Sequence, residues 1–311
     1  MPAAQDRSSR PNRATPLRAY VQANRLAATM LGLAIVSLAI LLTQSLAQLF
    51  TGNAPPGFGR AFIGGMAAFG ATALGALIAL GLRSISQKLE DSMLGMAAGM
   101  MLAASAFSLI LPGIEAGTAL FGSKAPGAAV VVLGMTLGVM LMLGLDRFTP
   151  HMHETTGQCG PDSARCTRVW LFVFAIALHN LPEGMAIGVS FAQNYLSVGL
   201  PTTIAIALQD LPEGLAVALA LRTIDLSAGR AALLGAASGL VEPLGALLGV
   251  GLSSGLEAAY PTGLGLAAGA MIFVVSHEVI PETHRNGHQT PATIGLVAGF
   301  ALMMVMDTVL G

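Results

Sequence analysis

Two nearly identical stretches, thirty residues apart, place metal-binding side chains in the middle of long apolar runs. The first reads His-Asn-Leu-Pro-Glu-Gly over 179–184, and the second reads Gln-Asp-Leu-Pro-Glu-Gly over 209–214. Imidazole, carboxylate and amide groups suit a borderline divalent transition metal, whereas Mg²⁺ and Ca²⁺ prefer shells built from oxygen alone. The repeat therefore predicts a site for Zn²⁺, with Cd²⁺, Fe²⁺ and Mn²⁺ as ions that would also fit.

Within each stretch, the spacing brings the polar side chains to one face of a helix. His179 and Asn180 precede Glu183 by four and three residues, which are the separations of neighbours on a helix surface. Met101 and Glu242 fall at the same depth of two other apolar runs. The predicted midplane metal site consists of Met101, His179, Asn180, Glu183, Gln209, Asp210, Glu213 and Glu242.

Two glutamates could bridge a pair of ions at this site. Glu183 and Glu213 would each contact both ions. One ion would add His179, Gln209 and Met101, and the other would add Asn180, Asp210 and Glu242.

The composition indicates an all-α polytopic membrane protein. Hydrophobic residues make up 54% of the 311 residues, charged residues make up 10%, and the mean hydropathy is +0.72. About 20 apolar residues span the hydrocarbon core as a helix. Nine runs approach this length, at 26–50, 61–82, 92–112, 127–145, 169–192, 200–221, 231–254, 262–281 and 292–310.

The basic residues predict the orientation of these nine helices. With the N-terminus in the cytoplasm, thirteen of the 15 Lys and Arg residues fall on the cytoplasmic side, and only Arg60 and Lys124 fall outside. The C-terminus is then extracellular or periplasmic. Because the basic residues mark topology, the net charge of −1 says nothing about acidic or nucleic-acid partners. We expect the lipid bilayer and divalent metal ions as partners, and no nucleic acid.

Four carboxylates are predicted to lie deep in the membrane without a basic partner. Each charged side chain at that depth costs about 2.5–3.5 kcal/mol on insertion scales. Since every Lys and Arg is placed at the membrane edges, a metal ion or protons must supply the positive charge. Pro182, Pro212 and Pro243 should also free backbone carbonyls near the site, including that of Gly239.

Further metal-binding candidates lie nearer the membrane surfaces, where each could equally be an ordinary polar residue at a helix end or in a solvated loop. The predicted cytoplasmic exit set is Asp146, His277, Glu278 and His284, with His288 just beyond it. Candidates in the long cytoplasmic loop are His151 and His153, and the candidate entrance residues are Glu115 and Asp307.

The two motif copies lie on consecutive segments that cross the membrane in opposite directions, so they form an inverted repeat, which is the geometry of a transporter site at the midplane. Two other functions compete with transport of the metal. The metalloenzyme strings Glu-x-x-His and His-Glu-x-x-His do not occur, and only His179 of the six histidines lies at mid-depth. We therefore expect no enzymatic activity. A proton pathway or cation channel that uses the carboxylates as a relay stays open from the sequence.

The motifs His179-Asn-x-Pro-Glu-Gly184, Gln209-Asp-x-Pro-Glu-Gly214 and Glu242-Pro243 resemble the paired signature helices of the Zrt/Irt-like (ZIP) metal transporters. The resemblance runs from about residue 60 to the C-terminus, and the extra first helix is similar to that of some bacterial members. It implies a bacterial inner-membrane protein with a transporter core over 61–311. The composition places a basic tail over 1–25, an additional helix over 26–50 and a cytoplasmic loop over 146–168.

That resemblance also implies a mechanism. The core would contain eight helices with an inverted repeat around a two-metal site built from the signature residues. The protein would be a homodimer that moves divalent ions into the cytoplasm by an elevator-like shift of one helix bundle. Zn²⁺ would be the transported substrate, and we expect that Cd²⁺ can substitute for it.

Overall fold

The computed structural model describes residues 57–310, except Arg83, 149–162, Asn194 and 254–256, together with six scattered positions before residue 57. The described residues form helices joined by short turns, and none of them belongs to a strand. Within the described part of the chain, eight helices are long and apolar enough to cross a membrane. The prediction of an all-α polytopic membrane protein is confirmed, while the predicted tail 1–25 and helix 26–50 lie outside the continuous described chain.

Each of the eight apolar runs after residue 60 corresponds to one of these helices. In chain order the helices are α1 (Phe58–Ile78), α2 (Gln87–Phe121), α3 (Lys124–Phe148), α4 (Ser163–Ala192), α5 (Leu196–Arg222), α6 (Ala228–Leu252), α7 (Ala259–His284) and α8 (Gln289–Leu310).

Two of the helices contain a widened, π-helical turn. It spans Ser105–Ile110 in α2 and Val275–Val279 in α7, and Pro112 or Pro281 follows two residues later. A proline ring clashes with the carbonyl four residues before it, so a wider turn at that point lets the helix continue. Such turns are frequent at functional sites.

Glycines allow the helices to pack in pairs at backbone contact. A β-carbon at Gly99 of α2 would lie 1.9 Å from the carbonyl oxygen of Leu296 on α8. One at Gly138 of α3 would lie 2.1 Å from that of Leu266 on α7. No side chain fits at either distance, so these two glycines let the helix backbones pack closely.

The remaining four helices, α1, α4, α5 and α6, contain or contact the two repeated motifs. A short turn joins α4 to α5, and the two pack against each other as an antiparallel hairpin. Helix α6 packs closely on α4, and α1 packs closely on α5. Helices α2 and α7 complete the surroundings through their contacts with α5 and α4, respectively.

Candidate metal site

The two motif copies lie near the middle of the hairpin helices. Both α4 and α5 continue without interruption through Pro182 and Pro212. Glu183 and Glu213 are almost completely buried, at 0% and 2% exposure. A carboxylate at this depth must be neutralised or paired, so these helices present groups that require a partner.

Three carboxylates converge where α4 meets α5. One oxygen each from Glu183, Asp210 and Glu213 lies within 4.8 Å of the other two. Oxygens at this separation can bind one ion between them, because metal–oxygen bonds are about 2.0–2.2 Å long for zinc. The two copies of the motif thus contribute to a single cluster.

An amide joins the two motif copies directly. Gln209 Nε2 donates to Glu183 Oε1 at 2.5 Å, which fixes one oxygen of Glu183 against α5. Glu183 Oε2 and Gln209 Oε1 are buried without a hydrogen-bond partner. Both atoms are therefore available as ligands.

A break in α6 carries Glu242 to the same place. The helix is interrupted at Gly239 and Leu240, and Glu242 lies in the first turn of its second half. The prediction that Pro243 leaves the Gly239 carbonyl free is wrong, since the Glu242 N–H donates to it at 3.0 Å. The carbonyl of Ser238 accepts a side-chain donor instead: Asn180 Nδ2 at 3.1 Å.

Asn180 and a threonine hold the Glu242 carboxylate. Asn180 Nδ2 donates to Glu242 Oε1 at 3.2 Å, and Thr72 Oγ1 of α1 donates to the same oxygen at 2.6 Å. Thr72 was not found by sequence reasoning, since a threonine in an apolar helix carries no signal of its own. All four central helices therefore meet at this cluster.

His179 makes its contact on the opposite side, with α7. Its Nε2 lies 2.9 Å from Glu278 Oε2, and its Nδ1 is buried without a partner. Glu278 lies in the π-helical turn of α7. The contact connects a residue predicted at the midplane with one predicted at the exit.

Unpartnered buried atoms are concentrated at this site. Among the described residues, eight of the nine buried side-chain nitrogen and oxygen atoms without a partner belong to predicted ligands. They are His179 Nδ1, Asn180 Oδ1, Glu183 Oε2, Gln209 Oε1, both Asp210 carboxylate oxygens, Glu213 Oε2 and Glu242 Oε2.

Such atoms cost free energy unless a ligand satisfies them. The described part of the chain buries no Lys or Arg side chain that could do so. The set fits a divalent transition metal, because it combines one imidazole nitrogen with several carboxylate and amide oxygens.

Met101 is buried in α2 one turn before the π-helical segment, where its carbonyl accepts a bond from Ser105 Oγ at 2.8 Å. Helix α2 packs on α5, the helix that carries Gln209 and Asp210. Met101 therefore lies on a helix next to the cluster, and its role as a soft ligand stays a prediction.

The described members of the predicted exit set have separate partners. Glu278 contacts His179, whereas the His277 ring stacks on Phe273 at a centroid distance of 5.0 Å. His284 Nδ1 lies 2.9 Å from the carbonyl oxygen of Ile280 in its own helix. The side chain of Asp146, together with His151 and His153, lies outside the described residues.

The predicted entrance residues also differ from each other. Asp307 Oδ1 accepts a bond of 2.6 Å from Ser108 Oγ in the π-helical turn of α2, and Asp307 is partly buried. Glu115 is exposed. Ser108 was missed because only the packing of α8 on α2 brings it to Asp307.

Asp91 is a buried acid outside the metal cluster that was not predicted from the sequence. Its Oδ2 lies 2.8 Å from His288 Nδ1, and its Oδ1 accepts from Asn286 at 3.1 Å and from Gln87 at 3.3 Å. These bonds fasten the turn between α7 and α8 to the start of α2. His288, expected near the exit, is therefore paired with α2.

Comparison with known proteins agrees with the signature helices. The model of the family described as ZIP zinc transporter matches residues 148–307, which contain both motif copies and Glu242.

Three relatives have the following similarity. The zinc transporter ZIPB of Bordetella bronchiseptica is 63% identical over 293 residues, which cover 94% of this chain and 95% of that protein. The zinc transporter GufA of Myxococcus xanthus is 42% identical over 81% of this chain and its own full length. The human zinc transporter ZIP11 is 30% identical over 81% of this chain and 97% of its own.

The relatives match 81% to 94% of this chain, and the family model spans the motif copies and Glu242. Their agreement with eight membrane-length helices supports a multi-pass membrane transporter rather than an enzyme. The chain belongs to the ZIP zinc transporter family.

Proposed function

We propose that this protein carries Zn²⁺ across the membrane into the cytoplasm through the buried cluster between α4, α5 and α6. Zinc is the ion named for the relatives from Bordetella and Myxococcus. Cd²⁺ is proposed as a second substrate, since it accepts the same nitrogen and oxygen ligands. The cluster would bind the ion as cargo rather than as a catalytic cofactor.

The observation that carries this proposal is the concentration of unpartnered buried ligand atoms at one place. Eight such atoms belong to seven residues, of which six lie in the two motif copies and one, Glu242, lies in α6. The carboxylates among them have no buried Lys or Arg partner in the described chain. A divalent cation would satisfy both the missing hydrogen bonds and the missing charge.

We infer that the cluster can hold two ions. Asp210 has both carboxylate oxygens free, and Glu213 and Glu242 have one free oxygen each. Glu183 and Glu213 would be the bridging ligands between one ion on the His179 side and another on the Asn180 side. A shell of carboxylates and amides binds zinc less tightly than a closed Cys/His cage, which suits a carrier that must release its ion.

The contact between His179 and Glu278 supports an exit route along α7. Glu278 Oε2 is already 2.9 Å from the imidazole and is more exposed than it, with 21% against 3% of the side chain accessible. An ion leaving His179 would therefore meet a more hydrated carboxylate next. The cytoplasmic direction rests on the distribution of basic residues, which places the C-terminal end of α7 inside.

The remaining features of the proposal rest on the family resemblance. They are a bacterial inner-membrane location, a homodimeric assembly and an elevator-like movement of the helix group that carries the site. The proposed cytoplasmic N-terminus rests instead on the distribution of basic residues.

Zinc uptake into liposomes tests the function. Purified protein is reconstituted, and accumulation of radioactive zinc is followed for the wild type and for Glu183→Gln and Glu213→Gln. We expect the wild type to accumulate zinc and both variants to lose uptake, because each substitution replaces a charged carboxylate of the cluster with a neutral amide.

Glu257→Gln is the matched control, since it makes the same chemical change at an exposed residue of the turn before α7. It should transport zinc like the wild type. Undiminished uptake by both Glu183→Gln and Glu213→Gln would refute the proposed site, and absence of uptake by the wild type would refute the function.

A further inference from the structure

The two motif copies pack against their neighbouring helices in the same way. A β-carbon at Gly184, which ends the first copy, would lie 2.1 Å from the carbonyl oxygen of Glu242 on α6. One at Gly214, which ends the second copy, would lie 2.0 Å from the carbonyl oxygen of Thr72 on α1. Thr72 thus meets the second copy where Glu242 meets the first.

A second pair of contacts repeats the correspondence in the opposite direction. A β-carbon at Gly245 would lie 2.6 Å from the Leu181 carbonyl oxygen, and one at Gly75 would lie 2.1 Å from that of Leu211. Leu181 and Leu211 occupy the same place in the two motif copies. Gly245 follows Glu242 by three positions, and Gly75 follows Thr72 by three positions. Helix α1 therefore packs on α5 in the same way as α6 packs on α4.

The side chain at the equivalent position of α1 is turned toward the metal site. Thr72 is 1% exposed, and its hydroxyl donates to Glu242 Oε1 at 2.6 Å. Gly239 allows this approach, because a β-carbon there would lie 2.8 Å from Thr72 Cβ and 3.0 Å from Glu242 Oε1. The hydroxyl and the carboxylate therefore meet across a gap that only glycine leaves open.

The two oxygens of Glu242 have different surroundings as a result. Oε1 accepts from Thr72 and, at 3.2 Å, from Asn180. Oε2 is buried without a partner. A carboxylate anchored through one oxygen can turn only within narrow limits, so the other oxygen keeps a defined direction.

We propose that Thr72 is a positioning residue for ion binding: it holds Glu242 Oε1 so that Oε2 alone is presented to the metal. This inference rests on the proposed function, since it assumes that Glu242 is a ligand. A threonine adds no charge at this place, whereas an acid there would add a fifth carboxylate to the cluster. Groups that orient a ligand in this way contribute 10–100-fold to metal affinity or activity.

Thr72→Val tests the inference, because valine keeps the shape of threonine and lacks the donor. Zinc binding to the purified protein in detergent is measured by calorimetry, and KM and maximal rate are measured in liposomes. We expect Thr72→Val to bind zinc roughly 10–100-fold more weakly than the wild type. Thr72→Ser, which retains the hydroxyl, should restore binding close to the wild-type value. Thr72→Ala provides a second donor-free variant if the valine disturbs folding.

Two controls separate positioning from a structural effect. Thr203→Val removes a buried hydroxyl that donates to the Gly199 carbonyl of its own helix, and it should bind zinc normally. Introducing Thr72→Val into a Glu242→Gln background should change affinity little further, because the group being positioned is already altered.

The outcomes distinguish this inference from the proposed function. The positioning role would be overturned if both donor-free variants bound zinc with wild-type affinity. It would also be overturned if adding Thr72→Val to Glu242→Gln lowered zinc affinity as much as Thr72→Val does in the wild type. Either result would leave the proposal of zinc transport intact. A wild-type protein that neither binds nor carries zinc would overturn both proposals.

Discussion

The glycine at the end of the first motif copy offers a sharp test of how helix packing sets the metal site. A β-carbon at Gly184 would lie 2.1 Å from the Glu242 carbonyl oxygen and 2.8 Å from its carbonyl carbon. Non-bonded atoms settle at about 3.5 Å, so Gly184→Ala must push α4 and α6 apart by about 1 Å. The glycine is needed for closeness rather than for an unusual backbone angle.

The consequence for the site follows from the contacts between the same two helices. Asn180 Nδ2 and Glu242 Oε1 are 3.2 Å apart, and a separation about 1 Å larger exceeds hydrogen-bond length. Metal sites tolerate ligand displacements of only about 0.2 Å. We therefore expect zinc uptake by Gly184→Ala to fall roughly 10–100-fold.

Gly249→Ala is the matched control. It overpacks the same helix pair, since its β-carbon would lie 2.3 Å from the Met185 carbonyl oxygen, but it lies seven residues beyond Glu242. Both variants should lose about 1–3 kcal/mol of stability from overpacking. Uptake into liposomes and thermal denaturation in detergent are measured for each.

Wild-type uptake by Gly184→Ala would refute the argument that helix separation controls the ligand geometry. An equal loss of uptake in Gly249→Ala at similar stability would also refute it, because the effect would then not depend on distance from Glu242.

Two further changes give distinct expected outcomes. Gln209→His places a second imidazole in the cluster, at the position where the Gln209 amide donates to Glu183 at 2.5 Å. Because nitrogen ligands bind zinc more strongly, we expect both KM and the maximal uptake rate to fall. A raised KM would contradict the role of Gln209 as a ligand. Arg222→Gln removes a guanidinium that donates to two carbonyls just after α1, those of Ala79, at 2.9 Å, and Leu82. The free energy of unfolding should therefore fall by about 1.5–3 kcal/mol while KM stays constant. A change in KM without a loss of stability would show that Arg222 acts on transport instead.

The sequence predicted the membrane helices well because their signal is local. A run of about 20 apolar residues must form its own backbone hydrogen bonds in lipid, whatever its neighbours are. The spacing of His179, Asn180 and Glu183 is local in the same sense, since one helix surface determines it. These features need no knowledge of how the helices pack.

The contacts that complete the site depend on packing and were missed for that reason. Thr72 lies 170 residues before Glu242, and their contact requires the separate approaches of α1 to α5 and α6 to α4. Ser238 contributes a backbone carbonyl, which no side-chain pattern can reveal. The Ser238 carbonyl can accept from Asn180 because the Glu242 N–H donates to the Gly239 carbonyl instead, a detail of one helix turn.

The prediction for the exit region shows a related limit. Sequence position grouped His277, Glu278 and His284 on the cytoplasmic part of α7. The π-helical turn over Val275–Val279 changes the angular spacing of that segment, and it directs Glu278 to His179 while His277 stacks on Phe273. Ordinary helical periodicity cannot anticipate a turn whose cause is the proline that follows it.

The correspondence between Thr72 and Glu242 gives the chemical differences between the motif copies a common meaning. Helices α4 and α6 contribute the acids Glu183 and Glu242, while α5 and α1 contribute Asp210 and Glu213. Where the first copy has the neutral Asn180, the second has Asp210; where α6 has an acid, α1 has Thr72. The exchange leaves each pair of helices with two carboxylates, so the four carboxylates together match the charge of the two divalent ions proposed for the site.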